Sequence, residues 1–406
     1  MQVLASEVIP GATPGRVRVQ ASVRYDGDGQ VEQLWFDLPS SFAGQASTSG
    51  NPWLVALLPL AVSLREPLRL SIPVDPFLLE NCRALMGVWH AWYPELAPVA
   101  IEAPTAPSAH PSDPRGIGLC FSGGVDSFTS LIKHNGPTAT SPFRVTDLLL
   151  IHGADIPLSD GEAFARLVPR MADVAREFGT GIIDLSTNLR VTRWARAEWG
   201  RLSHAALLAA AGHVLEPRLS HLLIASSARY DRLMPWGSHP LTDPLYSSSG
   251  LRVLHDGADT ERPEKIMAIA AHPAVHRHLR VCWIGRTDTN CGVCPKCFGT
   301  MLGLELAGTL GKSETLPRAI ERGNFETLYL ERNGTYAAYG MMRLFRERAV
   351  AVGRHDLVAL IDHIIARSDR MRFLKEGLEG LARRKLIPEA LRDRLIGRLF
   401  NRSVKY

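Results

Sequence analysis

Several things are missing from this 406-residue chain, and each absence narrows what it can be. No run of eighteen apolar residues occurs, so no membrane span is expected. The first thirty residues have no charged start followed by an apolar core, so no secretory leader is expected. Cysteine is scarce and unevenly placed: of six, four fall between Cys282 and Cys297, and only Cys82 and Cys120 stand alone. That clustering suits a metal site in a reducing compartment better than a disulfide framework, and the expected location is the cytosol. No GxxxxGK pattern ending in Ser or Thr occurs, which excludes a Walker-type nucleotide loop. No internal repeat is visible.

What is present fits a globular enzyme-sized chain. The apolar fraction is 46% and the charged fraction 21%, and the length allows two or three domains with ample core. The net charge of +5 is unevenly spread, because residues 341–406 hold sixteen Lys and Arg against eight Asp and Glu. A basic tail can draw nucleic acid or an acidic partner. Here the bases are interleaved with acids, which favours solvated faces of amphipathic helices.

Residues 16–25 alternate apolar and polar side chains, the period of a half-buried strand. The turn Asp26-Gly27-Asp28-Gly29 then leads into a second strand, VEQLWFDL, and LRLSI from Leu68 adds a third. Helices are expected over 53–64 and 76–93, the second capped by Asp75 with Pro76 just inside. This reads as a small α+β domain over 1–102, followed by a Pro-, Ala- and Ser-rich linker over 103–115. From 116 to about 310 the strands GIGLCF, DLLLIHG, GIIDL and HLLIASS alternate with helices, two of them over 161–178 and 203–215. That alternation predicts an α/β domain with a parallel sheet covered on both faces, where ligands bind beyond the carboxyl ends of the strands. Residues 311–406 read as mostly helical.

The strongest local signal is Ser122-Gly123-Gly124-Val125-Asp126-Ser127, between the strand GIGLCF and the helix FTSLIKH. Glycines let backbone N–H groups approach a pyrophosphate, and the positive end of the next helix points at the same place. Ser122 and Ser127 can donate hydroxyl hydrogen bonds to phosphate. Asp126 would repel phosphate directly, so its sensible role is to hold Mg2+. The second signal is Cys282, then Cys291-Gly-Val-Cys294-Pro-Lys-Cys297. Four thiolates so close suit a tetrahedral Zn2+ with no open position, hence a structural one; an iron–sulfur cluster is the rival.

SGGVDS matches the SGGxDS signature of the PP-loop, or N-type ATP pyrophosphatase, superfamily. Together with the cysteine spacing it resembles 7-cyano-7-deazaguanine synthase, over roughly residues 116–308. The resemblance implies cleavage of ATP between its α and β phosphates. It implies adenylation of a 7-carboxy-7-deazaguanine-like carboxylate, then transfer to ammonia, giving an amide and then a nitrile. Relatives in anti-phage operons carry extra sequence and attach the acid to a protein amine. The regions flanking the core here would suit docking of such an acceptor, encoded nearby, and a homodimer is compatible with this reading.

Carried over residue by residue, the resemblance assigns Ser122, Gly123, Gly124, Val125, Asp126 and Ser127 to ATP. It assigns Cys282, Cys291, Cys294 and Cys297 to zinc, and Lys265 to a phosphate contact. Gly200-Arg201 resembles the start of a substrate-facing helix, with Leu202 where the family has asparagine and His204 following. Asp231 and Pro235 resemble the family's substrate loop, but Trp236 stands where an aspartate is expected. Asp243 could supply the carboxylate that accepts the N–H and NH2 of a guanine-like edge, and Trp236 could stack on the base. The family's Tyr-Gly-Gln-Arg-His segment is replaced by His152-Gly153-Ala154-Asp155. Two other readings stay open: a tRNA-modifying PP-loop enzyme of the sulfurtransferase kind, for which Cys120 is the one spare thiol near the loop, and a non-catalytic scaffold.

Overall fold

The computed structural model describes residues 1–108, 115–139, 141–282, 288–326, 328–330 and 338–400. The chain divides into two compact units, Met1–Asp259 and Thr260–Tyr406.

In the first unit the strands are Gln2–Pro10 (β1), Arg16–Arg24 (β2), Val31–Pro39 (β3), Leu68–Leu70 (β4), Ile101–Glu102 (β5), Gly116–Cys120 (β6), Asp147–His152 (β7), Gly181–Thr187 (β8), Leu219–Ala225 (β9) and Arg252–Asp256 (β10). Among the described residues these form one sheet in the order β10-β9-β6-β7-β8-β3-β2-β1-β4-β5. The run from β10 to β8 is parallel, β8 to β1 is antiparallel, and β1, β4 and β5 are parallel again. The fold is therefore α/β with a mostly parallel sheet. β2 shows the alternation read from sequence, with Val17, Val19, Ala21 and Val23 turned into the core. β7 is buried nearly along its length, as a strand covered on both faces must be.

The helices of this unit are Asn51–Leu64 (α1), Pro76–Trp92 (α2), Val125–Asn135 (α3), Gly161–Glu177 (α4) and His204–Val214 (α5). α1 is buried from Asn51 to Val62, because it lies against the alanine-rich α5, whose small side chains allow close approach. α2 begins as its sequence predicts: Asp75 accepts hydrogen bonds from the N–H groups of Phe77 and Leu78, at 3.0 and 3.1 Å.

The boundaries differ from the sequence expectation of a separate 1–102 domain, a 103–115 linker and a core ending near 310. β3 pairs directly with β8, so the first three strands extend the core sheet. Arg16 pairs with Asp184 and donates to its carbonyl, and Trp194 Nε1 donates to the Ala56 carbonyl at 2.6 Å. Composition marked the Pro-rich stretch as a break, but composition says nothing of strand pairing made across a large sequence separation.

The second unit is helical: Arg262–Ile269 (α6), Pro273–His278 (α7), Pro295–Leu306 (α8), Ala338–Ala351 (α9), His355–Arg383 (α10) and Glu389–Phe400 (α11). Between α8 and α9 the described residues form only short turns, at Leu310–Lys312 and Arg322–Asn324. Among the described residues no helix is long and apolar enough to cross a membrane.

Candidate functional site

β6 stands inside the parallel run, between β7 and β9, and at its carboxyl end the chain turns sharply into α3. Gly123 takes φ 74°, in the left-handed region that a side chain strains to adopt. Gly124 is the N-cap of α3, and no side chain caps its first N–H groups. Ser122 Oγ accepts the Gly124 N–H at 3.3 Å, and Ser127 Oγ donates back to the Gly124 carbonyl at 3.1 Å. Val125 is buried and anchors the first turn, while Asp126 is the acid in that turn. The six sequence-predicted residues therefore form one strand–turn–helix element, whose N–H groups and positive helix end can receive an anion. The far end of α3 is tied down by Asp256 at the end of β10, which lies 2.6 Å from Lys133 Nζ and 3.2 Å from His134 Nε2. Burial disfavours the Asp256 charge, but bonds from His134, Lys133 and Ser130 overcome it and hold the carboxyl well below its usual range.

Residues 236–247 run from the turn Trp199–Ser203 to β10, which they meet at Val253 and His255. The loop is fastened by Gly237, which donates to the Gly200 carbonyl at 2.7 Å and accepts from Ala205 N–H at 2.8 Å. Gly200 is needed there, since a Cβ would meet the Trp236 ring at 2.7 Å. Trp236 is thus packed against the short π-turn Trp199–Ser203. Asp243, expected from the sequence to read a base, is fully buried. Oδ1 accepts from His239 N–H at 2.9 Å, and Oδ2 accepts from Ser238 Oγ and lies 2.7 Å from His255 Nδ1. Both its oxygens thus have partners within the protein, an imidazole among them.

The other expected substrate residues are dispersed. Asp231 is exposed and takes both branches of Arg229, at 2.6 and 2.5 Å. Arg201 pairs with Glu95 and lies 4.0 Å from the centre of the Tyr93 ring, an arrangement that joins segments of the fold. His152, in the segment that replaces the family's pattern, stacks on Phe164 at 4.5 Å and is held at Nε2 by the Pro157 carbonyl. Burial lowers its basicity. Cys120 ends β6; burial, joined by the charge of Asp243, pushes its thiol up to about 12. Lys265 belongs to the second unit, near the start of α6, with its side chain buried.

The four cysteines of the second unit converge. Their sulfurs all lie within 4.8 Å of one another, with Cys282 to Cys294 and Cys291 to Cys297 both at 3.9 Å. A tetrahedral zinc with Zn–S bonds of about 2.3 Å requires S···S edges of ~3.8 Å, which this cluster matches. Gly292 at φ 74° bends the knuckle, and Cys294 caps α8 while accepting the Cys297 N–H at 3.4 Å. Contacts from Cys291, Cys294 and Cys297 hold the Cys282 thiol far below its usual range, while the charge on Cys282 drives Cys294 and Cys297 up. Cys291 is lowered too, so the cluster favours the thiolate at Cys282 and Cys291 and the thiol at Cys294 and Cys297; a bound cation would let all four ionise together. The cluster could hold a metal such as zinc.

Sequence reading missed β1, β10 and with β10 the residue His255. The signal was there in the short apolar stretch LRVLHD after the Ser-rich turn, but five residues give too little periodicity to separate strand from loop. No model of a known protein family, no curated protein and no solved structure matches this chain.

Proposed function

We propose that the chain is a PP-loop ATP pyrophosphatase, similar to 7-cyano-7-deazaguanine synthase. It adenylates a 7-carboxy-7-deazaguanine-like acid and passes the acyl group to ammonia or to an amine on a protein encoded beside it, in the cytoplasm and in the setting of anti-phage defence. The observation that carries the reading is the turn 122–127 itself. Its glycine at positive φ and its side-chain-free helix start stand at the carboxyl end of β6, between neighbouring parallel strands. Such a turn offers N–H groups to a pyrophosphate, and the acid at position 126 suits Mg2+. ATP bound there would be oriented by the loop backbone, with Ser122 and Ser127 as further donors. The Zn2+ that the cysteines can accept would be structural, since four thiolates leave no open position. The sulfurtransferase alternative has less support: a carrier thiol needs a low pKa, and burial drives Cys120 the other way.

The test is ATP- and acid-dependent pyrophosphate release by the full-length protein. Asp126→Ala should lower it by roughly a hundredfold or more while leaving the fold intact. Near-normal release by a folded Asp126→Ala protein would remove this residue from the mechanism, and release that needs no acid would remove the adenylation reading.

A further inference from the structure

We propose that His255, held by Asp243, accepts the proton of the attacking amine in the acyl-transfer step, an inference that rests on the adenylating function proposed above. His255 pairs in register with Ile224 of β9, and the residue before Ile224, Leu223, pairs with Leu119 of β6. His255 therefore stands two strand spacings from Cys120, roughly 10 Å across the sheet, at the level where β6 passes into the phosphate loop. Residues in register on parallel strands share a face, so His255 and Cys120 both lie on the face that Ile224 presents.

The imidazole has one committed nitrogen and one uncommitted. Nδ1 is 2.7 Å from Asp243 Oδ2, and the side chain is only 4% exposed. Nε2 is buried and has no hydrogen-bond partner. With the carboxylate fixing the proton on Nδ1, Nε2 carries the lone pair of a base. A second imidazole, His204, opens α5 close by and has a buried Nδ1 without a partner. Burial lowers its basicity, and the charges of Asp155, Asp243, Arg190 and His255 all act on it, which places these groups in one electrostatic cluster. His239, the remaining imidazole of the cluster, packs on Trp92 and receives the Leu241 N–H at Nδ1. Buried polar atoms in folded proteins almost always have partners. Two that lack them, at the strand ends where α/β sheets receive ligands, mark a place for a reacting group.

The chemistry calls for one base and no acid. The amine nitrogen forms a C–N bond to the acyl carbon. The bond from that carbon to the phosphate oxygen breaks, and AMP leaves with the electron pair as a phosphate that needs no proton. The surplus proton on nitrogen passes to His255 Nε2, Asp243 stabilises the imidazolium, and the proton then goes to water.

The experiment follows both half-reactions in the full-length protein, with ATP, 7-carboxy-7-deazaguanine and ammonium chloride. ATP–pyrophosphate exchange reads adenylation, and mass spectrometry of the amide reads transfer. His255→Asn keeps an N–H donor toward Asp243 and removes the distal half of the ring with Nε2, and thermal unfolding checks its fold. We expect amide formation to fall by roughly a hundredfold to a thousandfold and exchange by less than about tenfold. The variant should lose the imidazole limb of the wild-type pH profile, and added imidazole should restore part of the rate to His255→Ala. Wild-type transfer by folded His255→Asn overturns the inference, as does equal loss of both half-reactions without imidazole rescue. Exchange in the wild type with no amide from ammonia at any pH overturns it too, because a base so placed would serve the smallest amine. No exchange in the wild type overturns the adenylating function and this inference with it.

Discussion

Among the described residues of the first unit, three imidazoles are buried beside a carboxylate, and two of these pairs, His213 with Glu216 and His255 with Asp243, differ in that only the first is closed. In the first, His213 Nδ1 is 3.0 Å from Glu216 Oε2 and Nε2 is 2.7 Å from the Tyr246 carbonyl, so both ring nitrogens are engaged. Glu216 also accepts from Asn51 Nδ2 at 2.9 Å and from Ser248 Oγ at 2.6 Å. This pair joins α1, α5 and the turn before β10, and nothing in it is left to act on a ligand. In the second, Asp243 saturates itself on His255, His239 and Ser238 but leaves His255 Nε2 unengaged. Both imidazoles are buried beside a carboxylate, so burial and an acid partner do not by themselves mark function. What sets the second pair apart is the ring nitrogen without a hydrogen-bond partner. The four cysteines extend the comparison, since their sulfurs converge on one another and could hold a metal ion from outside the chain.

The largest expected effect comes from that cluster. Cys294→Ser should remove a stoichiometric metal and lower the unfolding midpoint by about 10 °C, because binding energy at such a site is folding energy. Metal analysis with calorimetry reads both; unchanged metal content and midpoint would show that the cysteines do not act as a set. Iron with sulfide, on anaerobically purified protein, would change the metal assignment.

Next comes the closed pair. Glu216→Ala should cost about 3–5 kcal/mol in urea unfolding, whereas His255→Asn should cost less than about 1 kcal/mol. Equal costs would erase the distinction between the pairs. The closed pair also has a pH signature. Burial disfavours the Glu216 charge, yet bonds from His213, Ser108 and Ser248 pull its carboxyl from the ordinary 4.5 down to about 2. A depressed carboxyl contributes stability that is present above its unfolded value and lost as pH falls through the folded one. The stabilisation, roughly 3 kcal/mol, should therefore drain away between about pH 4.5 and pH 2. Glu216→Gln should flatten that limb of the stability curve; an unchanged limb would place the titration elsewhere.

What was legible in the sequence was what local physics writes locally. The alternation of β2, the Asp75 cap, the glycine turn before α3 and the compact cysteine spacing each need only neighbouring residues, and each appears in the structure where it was read. The domain division was not legible. Pairing of β3 with β8 spans about 150 residues, and no composition shift reports it. Removal of residues 1–102 would consequently strip strands and the buried α1 from the core rather than detach a module. Asp243 was legible as a carboxylate of interest but not as a partner of His255, because that contact depends on β10, a strand too short to announce itself. The pairing of Arg201 with Glu95 was hidden for the same reason of sequence distance.

The smallest predicted stability change carries the same distinction, between a group that holds the fold and one held ready, into two adjacent glycines. Gly123 sits at φ 74°, while Gly124 sits at φ −85° and ψ 172°, a conformation open to any residue. Gly123→Ala forces a Cβ into the left-handed region and should cost about 1–2 kcal/mol by urea unfolding. Gly124→Ala carries no such strain, so its stability should change by less than about 0.5 kcal/mol. ATP binding should not follow stability. If the N–H groups around Gly124 receive pyrophosphate, a methyl group there obstructs the approach, and the thermal shift produced by ATP with Mg2+ should shrink strongly in Gly124→Ala, although its fold is the less disturbed. A Gly124→Ala protein that keeps the full ATP-induced shift would mean that the turn needs its glycines for folding alone, and the phosphate role assigned to residues 122–127 would have to be given up.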